Sequence, residues 1–320
     1  FTSIMEENYY QGPTRWLGLS SNLLSLLGFF LVGSFLGQFF GLLAVVALME
    51  FPTQNIEAFQ TQILDFIAHP QKYEGAFHAM MALQWFSALF TFVLGAWAYL
   101  RFIEKRSIFD LNRAEAPGFQ VFSWAILTVL VGMPAMEYLI EWNEHIQLPA
   151  GYEALEKAMQ SSEKSMAELT KFLLNFHSDM DFALAVMVIA GMAALGEEIF
   201  FRGVLQSMFE RYIGNKHVAI WLAAAIFSFI HFQFYGFFPR MFLGAFFGYL
   251  YVWFRSIWVP IAAHFFNNGW TLLMHYLYQQ KNIAIDPMDM VKEIPWWSAV
   301  LSVVLVGFYI RRLHTYRTEI

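Results

Sequence analysis

The chain has 320 residues, of which 58% are hydrophobic, 19% aromatic and 14% charged, with 36 Phe and 11 Trp. A soluble domain carries roughly 25% charged residues and disordered chains are poor in apolar ones, so both classes are excluded. The net charge of −6 argues against nucleic-acid partners, and the absence of Cys removes disulfides, thiolate nucleophiles and Cys-ligated metals. The composition is that of an integral membrane protein.

The first twenty residues hold Glu6, Glu7 and Arg15, with no basic n-region or small-residue cleavage site, so no removable signal peptide is expected. Charge-free runs follow at 16–49, 75–100, 116–136, 217–239, 241–254, 256–280 and 294–310. An eighth apolar segment, about 182–209, carries only Glu197, Glu198 and Arg202 as charges. Roughly 20 residues cross the hydrocarbon as a helix. The expected fold class is therefore all-α, a polytopic transmembrane helix bundle of about eight spans. The short 241–254 run crosses only if Arg240 and Arg255 reach opposite surfaces.

Between spans, residues 50–74, with Pro52 and Pro70, are expected to form an outer loop. Residues 150–175, apolar at Leu155, Met159, Met166, Leu169 and Leu173, predict an amphipathic helix between spans 3 and 4, lying on the outer surface or capping the bundle. Small residues four apart, Gly33, Gly37 and Gly41 in the first span and Gly244 and Gly248 in the sixth, read as close helix packing. No repeat or linker divides 1–320, which reads as a single domain. Eleven basic residues fall on one side and seven on the other, which puts both termini in the cytoplasm. Compact loops without Cys fit a bacterial inner membrane.

Ionisable residues inside spans are costly and are functional candidates by default. Glu198 and Arg202 lie at i,i+4 and can pair on one helical face, whereas Glu197 lies about 100° away and is left for general-base work. His231 is expected deep in the apolar fifth span. His264 and Asn268 share a face of the seventh, while Asn267 points elsewhere. By helix rise, Glu197 and His231 lie at matching depth, ~21 and ~22 Å from a shared turn, with His264 somewhat shallower at ~14 Å. Glu137, Glu141, Glu144 and His145 read as a solvated helix end, or as a vestibule. His275 is ~16 Å from His264 and cannot join the same site.

The series Glu197-Glu198-x-x-x-Arg202, Phe227-x-x-x-His231 and His264-x-x-x-Asn268, each on its own span, resembles the CPBP family of CAAX prenyl endopeptidases and bacterial Abi or bacteriocin-processing proteins. The motif resemblance covers about 180–275. It implies an intramembrane endopeptidase acting on a membrane-embedded or lipidated peptide in the lipid bilayer. In that reading Glu197 and His231 activate water, His264 and Asn268 polarise the scissile carbonyl, and Glu198 and Arg202 organise the site. No cofactor is required, although Glu197, His231 and His264 could make a His₂Glu zinc site. Two other readings stand beside it. One is a non-catalytic scaffold subunit of a larger membrane complex; the other is a proton-coupled transporter using the same Glu and His chain.

Overall fold

The computed structural model describes residues 13–51, 55–112, 117–284, 286–287 and 294–317. Glu6, Glu7, Pro52, Arg113 and Lys292 lie outside the described residues, as do the side chains of Arg15 and Arg317. Ten helices are present among the described residues: α1 (Pro13–Leu48), α2 (Ile56–Ala68), α3 (Ala76–Glu104), α4 (Phe119–Glu144), α5 (Glu153–Leu173), α6 (Asp179–Ile213), α7 (Lys216–Phe229), α8 (Phe237–Phe254), α9 (Trp258–Gln279) and α10 (Trp296–Arg317). No strand occurs among the described residues.

Six helices are long and apolar enough to cross a membrane: α1, α3, α4, α6, α8 with the turn before it, and α10. This is an integral membrane protein. The other two expected spans differ for separate reasons. Helix α7 has 14 residues, ~21 Å of rise against a hydrocarbon core of ~30 Å. Helix α9 has 22 residues, but His264, Asn267, Asn268 and His275 interrupt its apolar run.

The largest departure from the sequence reading is in 217–239. In place of one continuous helix, α7 stops at Phe229 and α8 starts at Phe237. Phe232 adopts φ 52° between them, a left-handed conformation that no helix interior accommodates. Pro239 lies in the first turn of α8, where its missing N–H costs nothing. His231, expected mid-helix, therefore sits in the turn beyond the end of α7. The expected loop at 50–74 contains α2, whose first turn is capped by Asn55 Oδ1 accepting from the Glu57 amide. Helix α5 forms where the apolar repeat placed it.

Helix α6 is the centre of the bundle, packed by α3, α7, α8 and α9, while α4 packs on α8, α9 and α10. Helix α1 lies along α3, and its glycine ridge explains the closeness. A Cβ on Gly37 would come within 2.9 Å of Phe86 O, and one on Gly41 within 2.6 Å of a Leu83 methyl. At the far end of α6, Arg211 bonds Glu104 of α3 at 2.5 Å, so the ends of α3 and α6 meet at one face.

Candidate active site

Within α6 the hydrogen-bond ladder widens to π-type turns over Val186–Met192 and again over Ile199–Gln206, immediately after the two glutamates. Such turns rotate side chains out of α register and are frequent at functional sites. Arg202 nevertheless reaches back to Glu198, with Nη1 2.9 Å from Oε1, both side chains being at most 1% exposed. Its Nη2 donates to Gly244 O of α8 at 2.9 Å. The guanidinium also lies over the Phe227 ring, 4.6 Å from its centroid.

His264 on α9 joins this pair. Its Nδ1 lies 2.8 Å from Glu198 Oε1, and its ring stacks on Phe247 at 5.0 Å. The opposite nitrogen, Nε2, faces Glu197 Oε2 at 3.8 Å, too long for a direct hydrogen bond. Glu197 is less buried than its neighbour, with 14% of its side chain exposed against 0% for Glu198. His231 packs at 5.0 Å from the same Phe227 ring that His264 meets at 6.1 Å. Its Nδ1 donates to Phe227 O at 2.7 Å, which leaves Nε2 as an acceptor in the neutral ring.

One turn from His264, Asn268 donates through Nδ2 to Ile189 O of α6 at 3.2 Å. Asn267, expected to point elsewhere, donates to Asn268 Oδ1 at 3.2 Å. That leaves Asn268 with its second amide hydrogen uncommitted in these bonds. Among the described residues, no three His, Asp or Glu side chains are already gathered as a metal-holding group. Glu141, Glu144 and His145 are exposed at the end of α4, a solvated helix end.

Residues 179–270 match the family model of the type II CAAX prenyl endopeptidase Rce1-like proteins. The matched segment contains Glu197, Glu198, Arg202, His231, His264 and Asn268. An uncharacterised protein of Bacillus subtilis strain 168, YpbD, is 32% identical over 78 residues, 23% of this chain. The chain spans only 36% of the length of that curated relative. No solved structure matches it.

Several residues of the Rce1-like segment's surroundings were not singled out from the sequence. Asn143, 2% exposed at the end of α4, donates to Phe234 O and accepts from the Phe238 amide, each at 3.0 Å. Ser162 of α5 donates to Phe232 O at 3.1 Å, and the Glu163 carboxylate lies near the Tyr235 amide. Together these residues satisfy the backbone of the turn that carries His231. Non-helical backbone at membrane depth is tolerated only where protein or water satisfies it. On the other flank, Gln206 donates to Gly248 O at 3.2 Å, repeating the Arg202–Gly244 bond one turn on. A Cβ on Gly248 would stand 2.5 Å from Gln206 Oε1. The glycine spacing on α8 thus brings two backbone carbonyls to two buried donors.

Proposed function

We propose that the chain is an intramembrane endopeptidase that hydrolyses a peptide bond in a membrane-embedded or lipidated peptide. The observation that carries this reading is His264, fixed between two carboxylates of different environment. Glu198, buried and paired with Arg202, holds Nδ1 and sets the plane of the ring. Glu197, partly open and 3.8 Å from Nε2, makes no direct bond to the ring and is left to act on a water.

In the proposed step Glu197 takes a proton from water as the oxygen attacks the scissile carbonyl, and His231 Nε2 accepts the water's second hydrogen bond. Negative charge then develops on the carbonyl oxygen, and as the intermediate collapses the C–N bond breaks and Glu197 returns its proton to the leaving amine. His264, when protonated, offers Nε2–H to that oxygen, and Asn268 offers its uncommitted amide hydrogen. The Ile189 carbonyl and Asn267 hold the Asn268 carboxamide so that this hydrogen is the one left over. Arg202 and Glu198 touch no reacting atom and act by positioning. The single-level cluster favours hydrolysis over transport, since a proton path would need a ladder of such groups across the bilayer. Both termini are placed in the cytoplasm and the host membrane is read as a bacterial inner membrane, on the basic-residue bias and loop composition.

The test is cleavage by purified protein of membrane-anchored peptide libraries. Wild type should release new N-termini, and Glu197→Gln and His231→Ala should remain folded and release none. Full activity in either variant overturns the assignment. A folded wild type that stays in a stable membrane complex and cleaves nothing favours the scaffold reading.

A further inference from the structure

Helix α8 carries Arg240, Gly244 and Gly248 at four-residue spacing, on the face turned to α6. The glycine carbonyls are taken by Arg202 and Gln206. Arg240 therefore stands one turn, about 6 Å, beyond the Arg202–Gly244 bond, at the end of α8 that adjoins the His231 turn.

The guanidinium of Arg240 is half-buried and bonds only neutral acceptors in that turn. Nη2 donates to Gln233 Oε1 at 2.8 Å, and Nη1 approaches Gln233 O at 3.5 Å. Among the described residues, Glu163 and Glu197 act on it through space without closing an ion pair. It in turn lies within electrostatic reach of both Glu197 and His231. Glycine at 236 keeps one side of the group open, because a Cβ there would stand 3.1 Å from Nη2. A half-buried charge on which no ion pair closes is costly, and this one lies within reach of the reacting groups. Its five N–H donors form a planar fork that matches a carboxylate, and Gln233 engages only two of them.

We infer that Arg240 anchors a carboxylate of the bound peptide, so that the site selects chains bearing a negative charge near the cut. This rests on the peptidase reading for its meaning in catalysis, but the binding itself does not. A peptide can offer that group as its C-terminal carboxylate or as an Asp or Glu side chain. Either would form two parallel N–H···O bonds with the guanidinium and close the ion pair that Glu163 and Glu197 leave open.

Three probes separate the sources: N-dodecanoyl-Ala-Leu as the free acid, the same compound as its C-terminal amide, and N-dodecanoyl-Ala-Glu amide. Binding is measured on full-length Glu197→Gln protein in zwitterionic nanodiscs, with empty nanodiscs as blank. The acid should bind about tenfold or more tighter than its amide, the gain expected of a charge-assisted pair. Arg240→Gln in the same background should bring the two together, and Arg240→Lys should keep part of the preference. Gly236→Ala, which crowds the guanidinium without removing its charge, should also reduce it and serves if Arg240→Gln fails to fold. Tighter binding of the free acid alone assigns the C-terminus, tighter binding of the Glu-amide probe alone assigns a side-chain carboxylate, and tighter binding of both shows that the site takes either source. Equal binding of all three probes, or a preference unchanged by both the Arg240→Gln and Gly236→Ala substitutions, overturns the inference. Failure of wild type to cleave any peptide would count against the peptidase reading and leave this binding result standing.

Discussion

His264 Nδ1 and Arg202 Nη1 converge on one oxygen, Glu198 Oε1, at 2.8 and 2.9 Å. A carboxylate so enclosed ties three helices, α6, α9 and, through the Arg202–Gly244 bond, α8, to a single point. The site's rigidity comes from this triad, and its reactivity from the second glutamate beside it.

Arg202→Ala should accordingly be the most damaging single truncation in the bundle. It leaves Glu198 buried without its cation, a loss of about 3–5 kcal/mol. Arg202→Lys keeps the charge but cannot reach Glu198 and Gly244 O together, so it should fall between. Unfolding midpoints in detergent, compared with wild type, give the ranking; an Arg202→Ala protein as stable as wild type would remove the triad from the account.

Gly248→Ala tests the α6–α8 approach. Its Cβ would meet Gln206 Oε1 at 2.5 Å and an Ile220 methyl at 2.9 Å, and overpacking of this kind costs about 1–3 kcal/mol. Gly28→Ala is the control, since nothing lies within 4 Å of its added methyl. The control should be neutral or mildly stabilising by helix propensity. Equal effects from the two changes would contradict the close approach.

Asn143→Ala should act on catalysis at a distance. It orphans the Phe234 carbonyl and the Phe238 amide, at about 1–3 kcal/mol for each group left unpaired. The turn holding His231 loosens while the rest of the bundle stays formed. Hydrogen exchange should rise in 231–238 and peptide turnover should fall, with the global unfolding midpoint little changed. Exchange confined to wild-type rates there would show that α4 does not support the turn.

Much of this arrangement was legible beforehand, because it rests on local spacing. The i,i+4 pair Glu198–Arg202 needs only helix geometry, whereas counting rise from the turn at 211–216 to His231 assumes a helix that in fact ends at Phe229. The His264–Glu198 bond was not legible, since nothing in either helix says which of two adjacent glutamates a distant ring will meet. The break after Phe229 is masked because 217–239 carries no charge, although Gln233, Gly236 and Pro239 fall just past it, and Phe232 carries no glycine-like signal for its positive φ. The Gly244 and Gly248 spacing announced a close neighbour without naming Arg202 or Gln206. Asn143, uncharged within an acidic stripe, was overshadowed by the residues around it.

Glu163 supplies a pH dependence outside the spans. Burial pushes its carboxyl above the ordinary range, while the Tyr235 amide and Arg240 pull it back and Glu144 raises it further. One carboxylate oxygen, Oε2, has no hydrogen-bond partner. A carboxyl whose folded pKa is raised favours the folded state when protonated, so its contribution is lost as pH climbs from the ordinary carboxylate range, about 4.3, through the raised value. Glu163→Gln should therefore stabilise α5 docking near pH 8 and have little effect near pH 4, about the limits of the titration. Thermal unfolding of the two proteins across that range gives the sign; a variant less stable than wild type at the upper end would mean that Arg240 outweighs burial.

The most direct test of the central claim is to compare protein N-termini in membranes from cells carrying wild type, Glu197→Gln or no copy of this chain. A glutamate that activates water for peptide hydrolysis predicts a set of N-termini present with wild type and missing in both other strains. The same N-termini in the Glu197→Gln strain as in wild type would contradict it.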